Sequence, residues 1–137
     1  MSVSLHLSFN GNAAQAFAYY AEKLGGKVIM SLPYGGSPMA AEIPEVDRGR
    51  LMHISMELDG FHLMGADAIS THPYQGSEGF SISLNVPTVE RANEVFAILN
   101  DGGTTLMPIG PTFWAKAFGI TRDRFNITWM INCENPS

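Results

Sequence analysis

Two stretches of the chain alternate apolar and polar residues with a period of two, the pattern of a half-buried strand. In the first, Val3, Leu5, Leu7 and Phe9 alternate with Ser4, His6 and Ser8. In the second, Phe80, Ile82, Leu84 and Val86 alternate with Ser81, Ser83 and Asn85. From Val3 to Phe80 the offset is 77 residues. A helical pattern follows each strand. Over residues 12–24 it places Ala13, Phe17, Tyr20, Ala21 and Leu24 on one stripe, and over 88–100 it does the same with Val89, Ala92, Val95, Phe96 and Leu99. Asn12 and Thr88 stand where N-caps belong, and each helix runs into a glycine pair, Gly25-Gly26 and Gly102-Gly103, again 77 residues apart. Three further strand patterns follow in each half. The first half has KVIMSLP, then LMHISMEL and FHLMGAD joined by the hairpin signal Asp59-Gly60. The second has TTLMPIGPTFW, KAFGITRD and NITWMIN, the last two joined around Arg124-Phe125-Asn126. The chain is thus read as α+β, two tandem βαβββ modules at about 1–68 and about 78–134. They are expected to form one domain over 1–137, a cupped mixed sheet with the helices on the outer face.

In such a sheet the helix-facing side must be apolar while the other side tolerates polarity. Alternation then aims Ser4, His6, Ser8, His53, Ser55, Glu57, Ser81, Ser83, Asn85, Thr128, Met130 and Asn132 into the cup. In FHLMGAD, His62 and Met64 are assigned to the same side. The lining is one of small hydroxyls, amides, methionines and histidines, suited to a small, partly apolar ligand with a few hydrogen-bonding groups. The segment PYGGSP in the long 33–49 connection lacks the lysine and following helix of a phosphate loop, so it reads as a mobile flap beside the cup.

Composition narrows the function classes. Thirteen acids against eight Lys and Arg give a net charge of -5, which disfavours nucleic acid and anionic membrane as partners. Few basic residues are expected in the cup, which also disfavours a highly anionic ligand. No apolar stretch approaches the length of a membrane span, and the start MSVSLHLSF lacks a basic region ahead of an apolar run. With a single cysteine, Cys133, neither an internal disulfide nor a cysteine-based zinc cluster can form. A cytoplasmic location is the expectation.

The duplicated layout, the opening LSFNGNAAQAFAYY and above all the closing TFWAKAFGITRDRFNITWMIN resemble the PhnB-like branch of the vicinal oxygen chelate superfamily, which also holds glyoxalases, bleomycin-resistance proteins and extradiol dioxygenases. The resemblance covers essentially the whole chain. It departs at Asn126, where relatives commonly carry glycine; Asn also tolerates a left-handed backbone. Metal-dependent members take one His or Glu from the first and last strand of each module. Carried across, those positions fall on His6, on Met64 or its neighbour His62, on Ser81 and on Met130. Only His6 is a good ligand, because a hydroxyl and a thioether are poor partners for the divalent ions these enzymes use. The resemblance therefore implies a metal-free small-molecule-binding protein with no cofactor, working as a homodimer.

The ligand-contact candidates are His6, His53, Glu57, His62, Met64, Ser81, Ser83, Trp114 and Met130. Trp114 is included because Phe113, Trp114 and Phe118 could wall the ligand. Glu57 is the candidate general base, if apolar surroundings raise its pKa. The alternative reading is a metal-dependent lyase or dioxygenase of the glyoxalase kind, with a non-standard site of His6, Glu57 and either His53 or His62. Methyl transfer finds no glycine-rich nucleotide loop between a strand and a helix.

Overall fold

The computed structural model describes residues 1–134. The chain divides into two compact units, Met1–Gly76 and the segment from Ser77 onward. In the first, β1 (Leu5–Phe9), α1 (Ala13–Leu24), β2 (Lys27–Pro33), β3 (Leu51–Leu58) and β4 (Phe61–Asp67) form a four-stranded sheet in the order β1-β4-β3-β2. In the second, β5 (Ile82–Asn85), α2 (Val89–Asn100), β6 (Thr104–Gly110), β7 (Ala115–Arg122) and β8 (Thr128–Glu134) form the order β5-β8-β7-β6. Both sheets are mixed. The first strand of each unit runs parallel to the last, and the other neighbours are antiparallel. The βαβββ reading of each half therefore holds, with the strands in two separate four-stranded ladders.

Alternation decides what each sheet buries. In unit 1, Leu7, Phe9, Ile54, Met56 and Leu63 point to the helix side and are buried with Ala13, Ala16, Phe17, Tyr20 and Leu24 of α1. Full burial of each large apolar side chain stabilises by roughly 1.5–3 kcal/mol. The rings of Phe9 and Phe17 meet edge to face with centroids 5.9 Å apart. A Cβ at Gly65 would stand 3.0 Å from Phe17 and 3.1 Å from Phe9, so only glycine lets both rings lie on β4. Unit 2 buries Ala92, Val95, Phe96 and Leu99 of α2 together with Ala115, Ala117, Trp129, Ile131 and Cys133. Two stripe assignments shift at the helices: Ala16 takes a fully buried place beside half-buried Ala21, and Val89, in the first turn of α2, is 40% exposed.

The helix starts differ from each other. Thr88 caps α2 as expected, its hydroxyl accepting from the Arg91 N–H at 3.0 Å. Asn12 makes no side-chain cap. The carboxylate of Asp67, at the end of β4 and only 4% exposed, does that work from across the sequence. Its Oδ1 accepts from Gly11 N–H at 3.1 Å and Ala13 N–H at 2.9 Å, and its Oδ2 from Leu51 N–H at 2.8 Å. A negative group at a helix N-terminus is favourable both for the orphan N–H groups and for the helix dipole. The turns behave as the sequence predicts. Asp59 and Gly60 take positive φ angles of 49° and 81°, as a type I′ hairpin requires, and Asn126 sits at 71°.

The segment read as a mobile flap is folded into three short 3-10 turns at Tyr34–Gly36, Ala40–Glu42 and Glu45–Asp47. Backbone bonds from Tyr34 to Arg50 and from Gly35 to Arg48 tie its ends together. The Tyr34 hydroxyl donates to the Asp67 carbonyl at 3.3 Å, and the Arg50 guanidinium donates to the Ala68 carbonyl at 2.5 Å. Burial, then the negative charges of Asp67 and Asp47, push the Tyr34 phenol above its ordinary value. Asp47 accepts from both the hydroxyl and the N–H of Ser70. Those bonds hold its carboxyl below the usual range, with Arg50 adding a smaller pull in the same direction.

Candidate functional site

Each sheet has one face that carries no helix, and the predicted contact residues of the strands stand there, whereas Trp114 lies in the connection ahead of β7. In unit 1, β1 and β4 pair His6 with Met64 and Ser8 with Ala66, and β3 pairs Ser55 with Met64 and Glu57 with His62. Paired residues share a face, so His6, Met64, Ser55, Glu57 and His62 project to the same side, with His53 beside them by alternation. The rings of His6 and His53 lie 6.5 Å apart. Partial burial, and secondarily the neighbouring His53, lower the His6 pKa and favour the neutral ring at neutral pH. Met64 is half-buried and Ser55 buried, whereas Glu57 and His62 are exposed and Lys27 of β2 pairs with Glu57. Glu57 is thus an exposed strand carboxylate, not one enclosed by apolar walls. At the end of β1 and β4, Ser8, Ala66, His72, Tyr74 and Gln75 contribute to a recess of about 350 Å3.

In unit 2, β8 pairs Met130 with Ser83 of β5 and with Ile120 of β7, and Asn132 with Asn85 and with Phe118. The Asn132 amide donates to Asn85 Oδ1 at 3.2 Å, while its own oxygen is buried without a partner among the described residues. Trp114 is 47% exposed and stacks edge to face on Phe113 and Phe118, with centroids 4.7 and 5.4 Å away. Phe113 itself is 93% exposed and contributes little to the core. At the other end of the face, a recess of about 320 Å3 is lined by Ser81, Thr128, Met130, Phe80, Leu106, Glu78, Gly79 and Arg122.

Arg122 is the residue missed from the sequence. In β7, Ala115, Ala117 and Thr121 are buried, so Lys116, Phe118, Ile120 and Arg122 take the opposite, helix-free face. The same alternation that placed His53 and Met130 could have found it. It adds one cation to a face expected to carry few basic residues.

The residues do not fit a divalent metal at the positions the superfamily uses. His6 is directly paired with the Met64 thioether, and Ser81 and Met130 line one recess. Neutral hydroxyls and thioethers are weak donors to ions that prefer imidazole and carboxylate. His6, Glu57 and His62 are not brought together either: among the described residues, no three His, Cys, Asp or Glu side chains form a cluster able to hold an ion.

Repeated βαβββ units, each a mixed four-stranded sheet with one helix, define the vicinal oxygen chelate fold of the glyoxalase, bleomycin-resistance and dioxygenase proteins. Within that class the chain belongs to the PhnB-like family described as 3-demethylubiquinone-9 3-methyltransferase, whose model matches residues 1–132. It is 41% identical to protein PA1353 from Pseudomonas aeruginosa, with a TM-score of 0.90 and 99% of each chain covered. Protein YjdN from Escherichia coli K12 is 31% identical over 96% of this chain and 95% of its own. A PhnB protein from Bacillus cereus shares the fold at 22% identity, with a TM-score of 0.82 over 97% of this chain and 99% of its own. Among the described residues no helix is long and apolar enough to cross a membrane.

Proposed function

We propose that the protein binds small, partly apolar molecules without a metal, on the helix-free sheet faces, as a homodimer. One observation carries this reading: the first and last strands pair His6 with Met64 in unit 1 and Ser83 with Met130 in unit 2, with Ser81 beside Met130 in the recess, and these side chains suit hydrogen bonding and soft apolar contact rather than ion coordination. Met supplies adaptable contact area, and Ser55, Ser81, Ser83 and Thr128 supply hydroxyls that orient a ligand. The homodimer reading is supported by edge strand β2, where Val28, Ile29 and Met30 are 37%, 51% and 48% exposed. Methyl transfer is not proposed for this chain. The N-terminus of α1, where an α/β nucleotide site would receive an anion, is filled by the protein's own Asp67.

Metal analysis of protein purified without chelator, combined with thermal-shift screening of a metabolite panel, tests the reading. Stabilisation by at least one small molecule with substoichiometric metal is expected. Stoichiometric Ni, Zn, Fe or Mn lost in His6→Ala would overturn it in favour of a metal-dependent lyase or dioxygenase. Light scattering at working concentration checks the dimer.

A further inference from the structure

Arg122 ends β7 and pairs with Thr128 at the start of β8, half-buried in the wall of the unit 2 recess. Its Nε–H reaches the Thr128 hydroxyl at 3.5 Å, a long contact. Among the described residues no carboxylate forms an ion pair with it, in contrast to Arg91, paired with Glu94, and Arg124, paired with Asp101. A guanidinium is planar and always charged, with five donors in a fork matching a carboxylate. Phe80 and Leu106, 39% and 47% exposed, and the Met130 thioether give the recess apolar surface beside that fork. Ser81 and Thr128 add hydroxyls.

We infer that this recess is a subsite for a small organic monocarboxylate, with the carboxylate on Arg122 and a compact apolar body against Phe80, Leu106 and Met130. The inference rests on the small-molecule-binding reading and specifies the ligand's charge. A volume of about 320 Å3 lies at the small end of the roughly 300–1,000 Å3 typical of ligand pockets, which favours a compact acid. One guanidinium balances one negative charge. Glu78 lines the same recess and repels anions, so a doubly charged phosphate or dicarboxylate is disfavoured.

Benzoate serves as the probe, with benzamide as its neutral match, at constant ionic strength. Protein carrying 13C-methyl methionine reports through the Met130 methyl, with Met56, fully buried in the unit 1 core, as an internal reference. Benzoate is expected to shift Met130 saturably and to bind at least about tenfold more tightly than benzamide, a difference of about 1.4 kcal/mol. Arg122→Gln should lose that advantage, Arg122→Lys should keep part of it, and Glu78→Gln should tighten benzoate. An amide correlation spectrum confirms that each variant is folded. Equal binding of benzoate and benzamide, or unchanged benzoate affinity in folded Arg122→Gln, overturns the carboxylate subsite while leaving small-molecule binding standing. Absence of any Met130 response to benzoate also overturns the subsite; the metabolite screen and metal analysis judge the wider reading separately.

Discussion

Replacing Asp67 removes the acceptor for three backbone N–H groups drawn from two places in the sequence. In Asp67→Ala, the Gly11, Ala13 and Leu51 N–H groups, bonded at 3.1, 2.9 and 2.8 Å, all lose their partner. Leaving a buried donor unsatisfied costs about 1–3 kcal/mol, and water can reach Gly11, which is exposed. The burial of the carboxylate charge is relieved at the same time, which offsets part of the loss. The expected net destabilisation is about 3–5 kcal/mol, a large share of the roughly 5–15 kcal/mol that holds a typical domain folded. Asp67→Asn keeps one acceptor oxygen but turns an amide donor toward at least one of the three N–H groups. Its expected loss is about 2–3 kcal/mol. At this chain length that corresponds to a melting-temperature drop on the order of 6–12 °C.

The readout matters because both tryptophans, Trp114 and Trp129, lie in unit 2. Tryptophan fluorescence follows that unit, so far-UV circular dichroism in a denaturant series is needed to follow unit 1. Hydrogen exchange adds a local measurement: the Ala13 and Leu51 amides should lose protection in the variants before the centre of α1 does. A folded Asp67→Ala protein that loses less than about 1 kcal/mol, with Leu51 still protected, would refute the capping role.

Two further predictions come from other parts of the fold. A Cβ at Gly103 would lie 2.2 Å from the Arg122 carbonyl oxygen, so Gly103→Ala must displace backbone; a loss of about 1–3 kcal/mol is expected in equilibrium unfolding, and a neutral result would contradict the close approach. His6 should titrate below 6.5 by NMR, because burial and then His53 disfavour its charged form. A depressed histidine pKa means that the unfolded state binds the proton more readily. The His6 contribution is therefore fully present above the unfolded pKa, falls as pH drops toward the folded pKa, and is absent below both. His53→Gln should raise the His6 pKa part of the way only, since burial is the larger cause; a His6 titrating at or above 6.5 in the native protein counts against the geometry.

The fold was legible where the signal is local. A period of two marked β1, β3, β5 and β8, and the glycine pairs marked the ends of α1 and α2, because strand alternation and helix termination are properties of neighbouring residues. The sheet face each candidate residue takes was legible for the same reason: His6, His53, Met64, Ser83 and Met130 needed only parity. Arg122 needed no more than that, but its strand offers weak contrast. Ala115, Ala117 and Gly119 are small rather than strongly apolar, so the buried face of β7 is hard to see. Asp67 was beyond sequence reasoning altogether. A carboxylate at the end of a strand says nothing of a helix start 54 residues earlier, and the pairing exists only once β1 and β4 lie side by side. The 3-10 turns between Pro33 and Gly49 were hidden likewise, since their anchors are tertiary bonds to Asp67, Ala68 and Ser70.

Duplication preserved the order of elements but not the devices that hold them. Both helices begin with unsatisfied N–H groups, the same physical problem posed twice. Unit 2 solves it locally, with the Thr88 hydroxyl three residues from the N–H it accepts. Unit 1 solves it with a charge that also binds Leu51, at the start of β3, so one side chain fixes the entry of α1, the end of β4 and the end of the 33–49 segment together. The two positions should therefore respond unequally. Thr88→Ala removes one exposed cap and should cost about 0.5–2 kcal/mol, read as fraying confined to the first turn of α2. Asp67→Ala should cost more and loosen β3 as well as α1. Equal, purely local effects at both sites would mean that Asp67 acts as an ordinary cap and that its bond to Leu51 adds nothing to the fold.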